Sequence, residues 1–324
     1  MSVPSRCREA GPGVRRTPVA ALVFLAVMIR AAAAQSSAEV AAGGLAGTLV
    51  MPGGVERPPV ALIIAGSGPT DRDGTGPGVA FPYLRRLTDG LAARGIASLR
   101  YDKRGIGGSR TAALPEDRLR IDRFVDDAAI WVDWLRRRQE LGPVFAVGHS
   151  EGGLIASLMV ARSDVRGLVL LNSPGRRFAT VLRQQLEPTL PSALRDEALA
   201  TLAALERGER VTTVSPELAP LFRPSVQPYL MSLMPIDPAA ILAAATVPVM
   251  MVSGGRDLQI GAADAEALLR ARPDARRWHG DDMNHVLAAT PGDRTENLRT
   301  YADPAAPLAA GLVEAIADFI FRYR

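Results

Sequence analysis

The sequence predicts an α/β fold: a mostly parallel central sheet flanked by helices, with a helical cap insertion. Three observations predict it. Short apolar runs end at turn residues, amphipathic stretches of helical period alternate with them, and one long segment breaks the alternation. Uninterrupted apolar strands belong in a sheet buried on both faces, and strand–helix alternation is the pattern of parallel strands joined by crossover helices.

In chain order, residues 59–65 (PVALIIA) run into Gly66-Ser67-Gly68-Pro69 and read as a buried strand followed by a turn. Strands of the same kind are expected at 96–101, 144–148, 165–171 and 247–253, with another at 276–279. Ile121, Phe124, Val125, Ala128, Val132 and Leu135 recur at helical spacing among Asp122, Asp126, Asp133 and Arg136, which predicts a helix lying on a sheet face. Further helices are expected at 154–161 and 262–271, and 308–321 reads as a closing helix. The segment 176–245 is rich in Leu, Ala, Pro and charge and has no strand signal. A structureless loop of that length is uncommon in a compact domain, so it is expected to form a helical cap over one end of the sheet.

The 324 residues include 38 Lys and Arg against 34 Asp and Glu. The excess lies wholly in the first thirty residues, where Arg6, Arg8, Arg15, Arg16 and Arg30 face Glu9 alone; the remainder holds 33 of each sign. A neutral body with dispersed arginines argues against a nucleic-acid partner. The basic head, the apolar run at 18–29 and the alanines at 31–34 have the layout of a signal peptide over 1–34, cleaved after Ala34. Twelve apolar residues fall short of the ~20 that span a bilayer. The expectation is a periplasmic or secreted protein of residues 35–324, with no stable membrane insertion. Cys7, the only cysteine, leaves with the signal, which excludes disulfides, thiolate metal sites and a cysteine nucleophile. Lys103, the only lysine, does not follow a glycine, which excludes a Walker-type phosphate loop.

Residues 144–153 (VFAVGHSEGG) place Gly148-His149-Ser150-Glu151-Gly152 between a strand and a helix, the G-x-S-x-G turn that projects a serine nucleophile. A serine hydroxyl needs a base, and histidine is the usual one. The chain offers three. His149 adjoins Ser150 and should point away from it, His279 sits within a strand, and His285 lies in the loop beyond. His285 is therefore the best base and His279 the fallback. Asp257, leaving the strand 247–253 in Ser253-Gly254-Gly255-Arg256-Asp257, is the orienting acid, with Asp281 and Asp282 as weaker candidates. The Glu151 amide should supply one oxyanion donor; the Ser67 amide is favoured for the second, with Gly68 the alternative.

Taken in the order Ser, Asp, His, these residues resemble the α/β-hydrolase superfamily from about residue 44 to the end. The finer likeness is to its bacterial serine carboxylesterase branch of prolyl-aminopeptidase-like hydrolases. AGSGPTDRDG (65–74), RYDKRGIGGS (100–109), GHSEGG (148–153), GGRDLQI (254–260) and MNHVL (283–287) are similar to that branch's blocks and stand in the same order. The resemblance implies a catalytic triad of Ser150, Asp257 and His285 and an oxyanion loop at Ser67. Many relatives carry His-Gly before the oxyanion residue, where this chain has Ala65-Gly66. Asp102 and Arg104 match a block that usually holds the connections beside the site.

The expected activity is that of a serine hydrolase cleaving small or medium carboxylic esters through an acyl-enzyme, with no cofactor. The alternatives are a thioesterase or an aminopeptidase using the same triad, or a non-catalytic binding protein on the same scaffold. An aminopeptidase would need carboxylates for the substrate ammonium, and Glu187, Glu206 or Glu217 could serve. In the cap, Leu221, Phe222, Tyr229, Leu230, Met231, Leu233 and Met234 either line an acyl pocket or form ordinary helix core. No metal is expected. Asp71-Arg72-Asp73-Gly74 superficially suggests a calcium loop, but Pro82 stands at the twelfth position, where a glutamate is required. Using His279, Asp281, Asp282 and His285 as metal ligands would deprive Ser150 of its best base.

Overall fold

The computed structural model describes residues 1–2, 34–290 and 292–324, so the predicted signal segment lies outside the described residues except at its two ends. The first elements are a hairpin that the apolar pattern does not announce. β1 (Ser36–Ala42) and β2 (Leu45–Met51) pair antiparallel, with Ala42 opposite Leu45. Gly43 and Gly44 between them both have positive φ, the geometry of a tight two-residue hairpin turn.

The alternation follows. β3 (Val60–Ile64), α1 (Tyr83–Ala92), β4 (Ala97–Tyr101), α2 (Ile121–Arg136), β5 (Val144–His149), α3 (Glu151–Val160) and β6 (Gly167–Leu171) lead into five helices. These are α4 (Phe178–Leu186), α5 (Ser192–Glu206), α6 (Ala219–Phe222), α7 (Gln227–Leu233) and α8 (Pro238–Ala243). β7 (Val249–Gly254), α9 (Ala262–Ala271), β8 (Arg276–Gly280), α10 (Arg294–Ala302) and α11 (Leu312–Tyr323) complete the chain. The closing helix begins at 312 rather than 308 because Gly311, at φ 80°, caps it in the left-handed conformation. α1 and α10 were not predicted.

The strands form one eight-stranded sheet in the order β1-β2-β4-β3-β5-β6-β7-β8, parallel from β4 to β8. The inner parallel strands β3, β5 and β6 are buried because both their faces are covered, whereas the edge strand β8 is polar and largely exposed. Val60, Leu62 and Ile64 of β3 and Val144 and Ala146 of β5 pack against Val125, Trp131 and Leu135 of α2 and Ile155 and Met159 of α3. The alternate residues Ala61, Ile63, Phe145 and Val147 pack against Leu84, Leu87 and Leu91 of α1 and Leu312, Ile316 and Phe319 of α11. The helices α4 to α7 enclose a core of their own, built on Leu182, Leu186, Leu202, Leu205, Phe222 and Leu230. Among the described residues, no helix is long and apolar enough to cross a membrane.

Two of the sequence blocks are tied together beside the sheet. Asp102 accepts from the Arg72 amide (2.7 Å), the Arg72 guanidinium (2.8 Å) and the Gly108 amide (2.8 Å). Arg104 pairs with the buried Asp127. Asp71 folds its carboxylate onto the amides of Asp73 and Thr75, and Asp73 pairs with Arg100, so the calcium-like string closes on itself. No group of three or more His, Cys, Asp or Glu among the described residues is arranged to hold a metal.

Candidate active site

Strand order creates the site. The chain leaves β3 for β4 on one side and returns to β5 on the other, which opens a crevice at the carboxyl ends of β3 and β5. The Gly66-Ser67 loop leaves one strand there and Ser150 leaves the other. Ser150 has φ 54° and ψ −125°, a strained conformation that costs on the order of 1–3 kcal/mol. The flanking glycines are a packing requirement. A Cβ on Gly148 would stand 2.2 Å from the Gly152 carbonyl oxygen, and one on Gly152 would stand 2.2 Å from that of Ile64. The Ser150 amide donates to the Leu171 carbonyl at 2.9 Å, which ties the turn to β6.

His285 and Asp257 arrive on neighbouring loops, after β8 and β7. His285 Nδ1 lies 2.8 Å from Asp257 Oδ2, and both side chains are buried. The other carboxylate oxygen accepts the amides of Gln259 (2.7 Å) and Ile260 (2.9 Å). An ionised carboxylate only accepts, so the imidazole proton sits on Nδ1 and Nε2 carries the free lone pair. No hydrogen bond joins the Ser150 hydroxyl to His285 in this structure.

The segments are joined instead through the residue before the nucleophile. His149 Nε2 lies 2.7 Å from the His285 carbonyl oxygen, and its Nδ1 lies 3.1 Å from the Tyr83 hydroxyl. A carbonyl can only accept, so Nε2 is the protonated nitrogen and Nδ1 accepts from Tyr83. Burial, followed by the neighbouring His285, pushes the His149 imidazole down to about 3, while burial holds the Tyr83 hydroxyl protonated. The two histidine rings pack with centroids 4.8 Å apart. Asn172, itself at φ 45°, donates to the carbonyls of Asn284 (2.9 Å) and His285 (3.1 Å). The Asn284 amide in turn reaches Thr300 (2.6 Å) and Asn297 (3.1 Å) on α10. Sequence reading missed Tyr83, Asn172 and Asn284.

The remaining expectations sort by position. Ser67 and Glu151 line the same cavity as Ser150, about 110 Å³ in volume, whose apolar walls include Leu154, Phe178, Val181, Leu182 and Leu233. Gly68 does not line it. As the first residue of α3, Glu151 has an amide with no intrahelical acceptor. Of the seven cap residues named as pocket or core, only Leu233 reaches this cavity; the others pack within the cap, and Tyr229 also packs edge-on against Phe124 of α2. A larger cavity of about 340 Å³ lies beside Asp257 against α9, but it does not reach Ser150. His279 bonds Ser253 at 2.8 Å, and Asp281 is exposed beside it; neither bonds His285 or lines the Ser150 cavity. Glu187, Glu206 and Glu217 stand outside the Ser150 cavity, and Glu206 pairs with Arg183 at 2.8 Å.

Comparison with known proteins places this geometry. Residues 82–285 match the family model described as serine aminopeptidase, S33, and the chain belongs to that family. It is 29% identical over 262 residues to Esterase EstD of Thermotoga maritima, covering 79% of this chain and 61% of that one; it therefore spans about three fifths of this relative's length. Among solved structures it is similar to Est1E from Butyrivibrio proteoclasticus with ferulic acid bound (17% identity, TM-score 0.55, 88% and 98% of the two chains). It is also similar to the Pyrococcus furiosus esterase Pf2001 (15%, 0.54, 89% and 92%). These likenesses establish the α/β-hydrolase fold.

Proposed function

We propose that the protein is an exported serine hydrolase that cleaves small carboxylic esters. The observation that carries this reading is a strained serine at the sheet's switch point together with an imidazole whose Nδ1–H is committed to a buried carboxylate. In the reaction, His285 Nε2 takes the Ser150 proton as the hydroxyl attacks the ester carbonyl. Asp257 holds the imidazole and stabilises its cation, and the amides of Glu151 and Ser67 receive the oxyanion. Collapse returns the proton to the departing alcohol, and water then releases the acyl group by the same steps. The structure shows no Ser150–His285 hydrogen bond, and catalytic hydrogen bonds of this kind are often long until substrate binds.

Ester chemistry is favoured over the aminopeptidase reading by the charge lining the cavity. Glu151 is its only carboxylate and Arg176 lines it as well; the three cap glutamates lie outside. A substrate ammonium would lose its hydration there with one carboxylate, Glu151, to replace it and the Arg176 guanidinium on the same wall opposing it. The name of the Thermotoga relative supports the same choice. A cavity of about 110 Å³ suits a short acyl group. Export is compatible with the fold, because β1 begins at Ser36, beyond the predicted cleavage after Ala34.

The test is a panel of acyl esters, thioesters and aminoacyl amides with the parental protein and Ser150→Ala. Turnover of short p-nitrophenyl esters that disappears in Ser150→Ala is expected. Parental-rate hydrolysis by Ser150→Ala would end this account, and failure of a fluorophosphonate to label Ser150 in folded protein would favour a binding role.

A further inference from the structure

Lys103 is the only lysine in the sequence, and it is buried, with 4% of its surface exposed. Burying an ammonium is costly unless it is well held. The buried or half-buried arginines around it, Arg72, Arg100 and Arg104, each bond a carboxylate directly. Lys103 does not. Its Nζ donates to the carbonyl oxygen of Gly66 and lies 5.8 Å from the centroid of the Phe124 ring; burial pushes the ammonium down from its ordinary value, and the charge of Glu151 opposes that. Its neighbours Asp102 and Arg104 are already committed to Arg72 and Asp127.

The Gly66 carbonyl and the Ser67 amide are the two ends of one peptide group, and in a trans peptide they point in opposite directions. This group lies against the nucleophile, since a Cβ on Gly66 would stand 3.1 Å from Ser150 Cβ. Ser67 lines the Ser150 cavity, and its N–H has no acceptor among the described residues. The other oxyanion amide, that of Glu151, is oriented by the start of α3. The Ser67 amide sits in an irregular loop next to a glycine, so no regular element holds its plane.

We propose that Lys103 is a positioning residue for the oxyanion site: by holding the Gly66 carbonyl, its ammonium fixes the Gly66–Ser67 peptide plane with the amide turned toward Ser150 and polarises that N–H. The inference rests on the serine-hydrolase reading above. It makes Lys103 act on the transition state through a peptide group, without touching substrate.

The test compares the parental protein with Lys103→Met, which keeps the stem and removes the donor. Expected are a kcat for p-nitrophenyl acetate lower by about 10–100-fold, a KM within about threefold, and an equal loss of affinity for a trifluoromethyl ketone that adds to Ser150. A kcat within twofold of the parent, or a lower kcat with unchanged ketone affinity, overturns the proposal. If Lys103→Met does not fold, a crystal structure of the parent with the ketone decides. An oxyanion bonded by the Ser67 N–H, with Lys103 still on Gly66, supports the proposal; any other second donor overturns it. If the parent turns over no ester, the functional reading fails on its own. A crystal structure of Lys103→Met then decides about Lys103: a rotated Gly66–Ser67 plane supports its role, and an unchanged plane overturns it.

Discussion

Asp257→Asn separates the carboxylate's chemistry from its place in the fold. In the structure Oδ1 accepts the Gln259 and Ile260 amides and Oδ2 faces His285 Nδ1. An asparagine in this position must keep its oxygen on the two backbone donors. Turning its NH2 toward them would leave two buried N–H groups unsatisfied, at about 1–3 kcal/mol each. The side-chain NH2 then donates to His285 Nδ1, which forces the imidazole proton onto Nε2 and removes the base. A bias of at least ~2 kcal/mol leaves about 3% of the working tautomer. Losing the charge-assisted bond to the imidazolium adds ~1.5–3 kcal/mol. Together these give a fall in kcat of at least about 400-fold, approaching the ~10⁴-fold known for this kind of substitution. The assay is kcat on p-nitrophenyl acetate, with Tm as the check on folding. A folded Asp257→Asn protein keeping more than about a twentieth of the parental kcat would refute the assignment of Asp257 and the tautomer argument together.

Three other outcomes are expected. Ser150→Gly should be more stable than Ser150→Ala by about 1 kcal/mol in denaturant unfolding, because only glycine relaxes the positive φ; equal stabilities would mean the turn is unstrained. His149 titrates near 3 when folded against 6.5 as its ordinary value, so the unfolded chain binds the extra proton between them. Stability from this group is complete above about pH 6.5 and is lost as pH falls toward 3, by about 1.4 kcal/mol per pH unit at most. His149→Gln should flatten the stability curve between pH 6 and 4 by about 1 kcal/mol per unit, and an unchanged slope would show that His149 is not buried neutral. Phe178→Ala, on the cavity wall, should raise kcat/KM for p-nitrophenyl octanoate relative to acetate about tenfold, whereas a ratio within twofold of the parent would place the acyl chain elsewhere.

How much of this was legible depended on whether a residue carried a local signal. Ser150 was legible because the strand, the two glycines and the helix all mark one turn, and each glycine answers to a backbone contact. Asp257 and His285 could be read because each leaves the end of a strand, after β7 and β8. Both expected oxyanion residues reach the Ser150 cavity. The hairpin of β1 and β2 was missed because β1 is small and exposed and β2 has no regular alternation, although Gly43-Gly44 was a usable turn signal. The cap was legible as helical, yet its inward-facing residues were not, since α4 supplies Phe178, Val181 and Leu182 to the cavity wall and α7 only Leu233. Tyr83 and Asn172 had no signal, and Asn284 had only its place in the MNHVL block. Each is a single polar residue whose partner lies on another element.

The central position of Gly-x-Ser is the clearest case of a residue whose role only the fold discloses. The sequence predicts a His149 that turns away from the nucleophile, and its ring is buried. What the ring does there is grip the His285 backbone, while Tyr83 fixes which nitrogen is available for the grip. Asn172, after β6, holds the same carbonyl from a third strand. The loop bearing His285 is thus fastened to the turn bearing Ser150 from below, leaving the upper side, where their side chains would meet, free of any bond in the resting protein. The backbones that carry the two groups are therefore joined through His149 and Asn172 and not through a bond between the Ser150 hydroxyl and the imidazole. The serine turn then bears the strain, and the histidine beneath it, neutral down to acid pH, keeps the spacing.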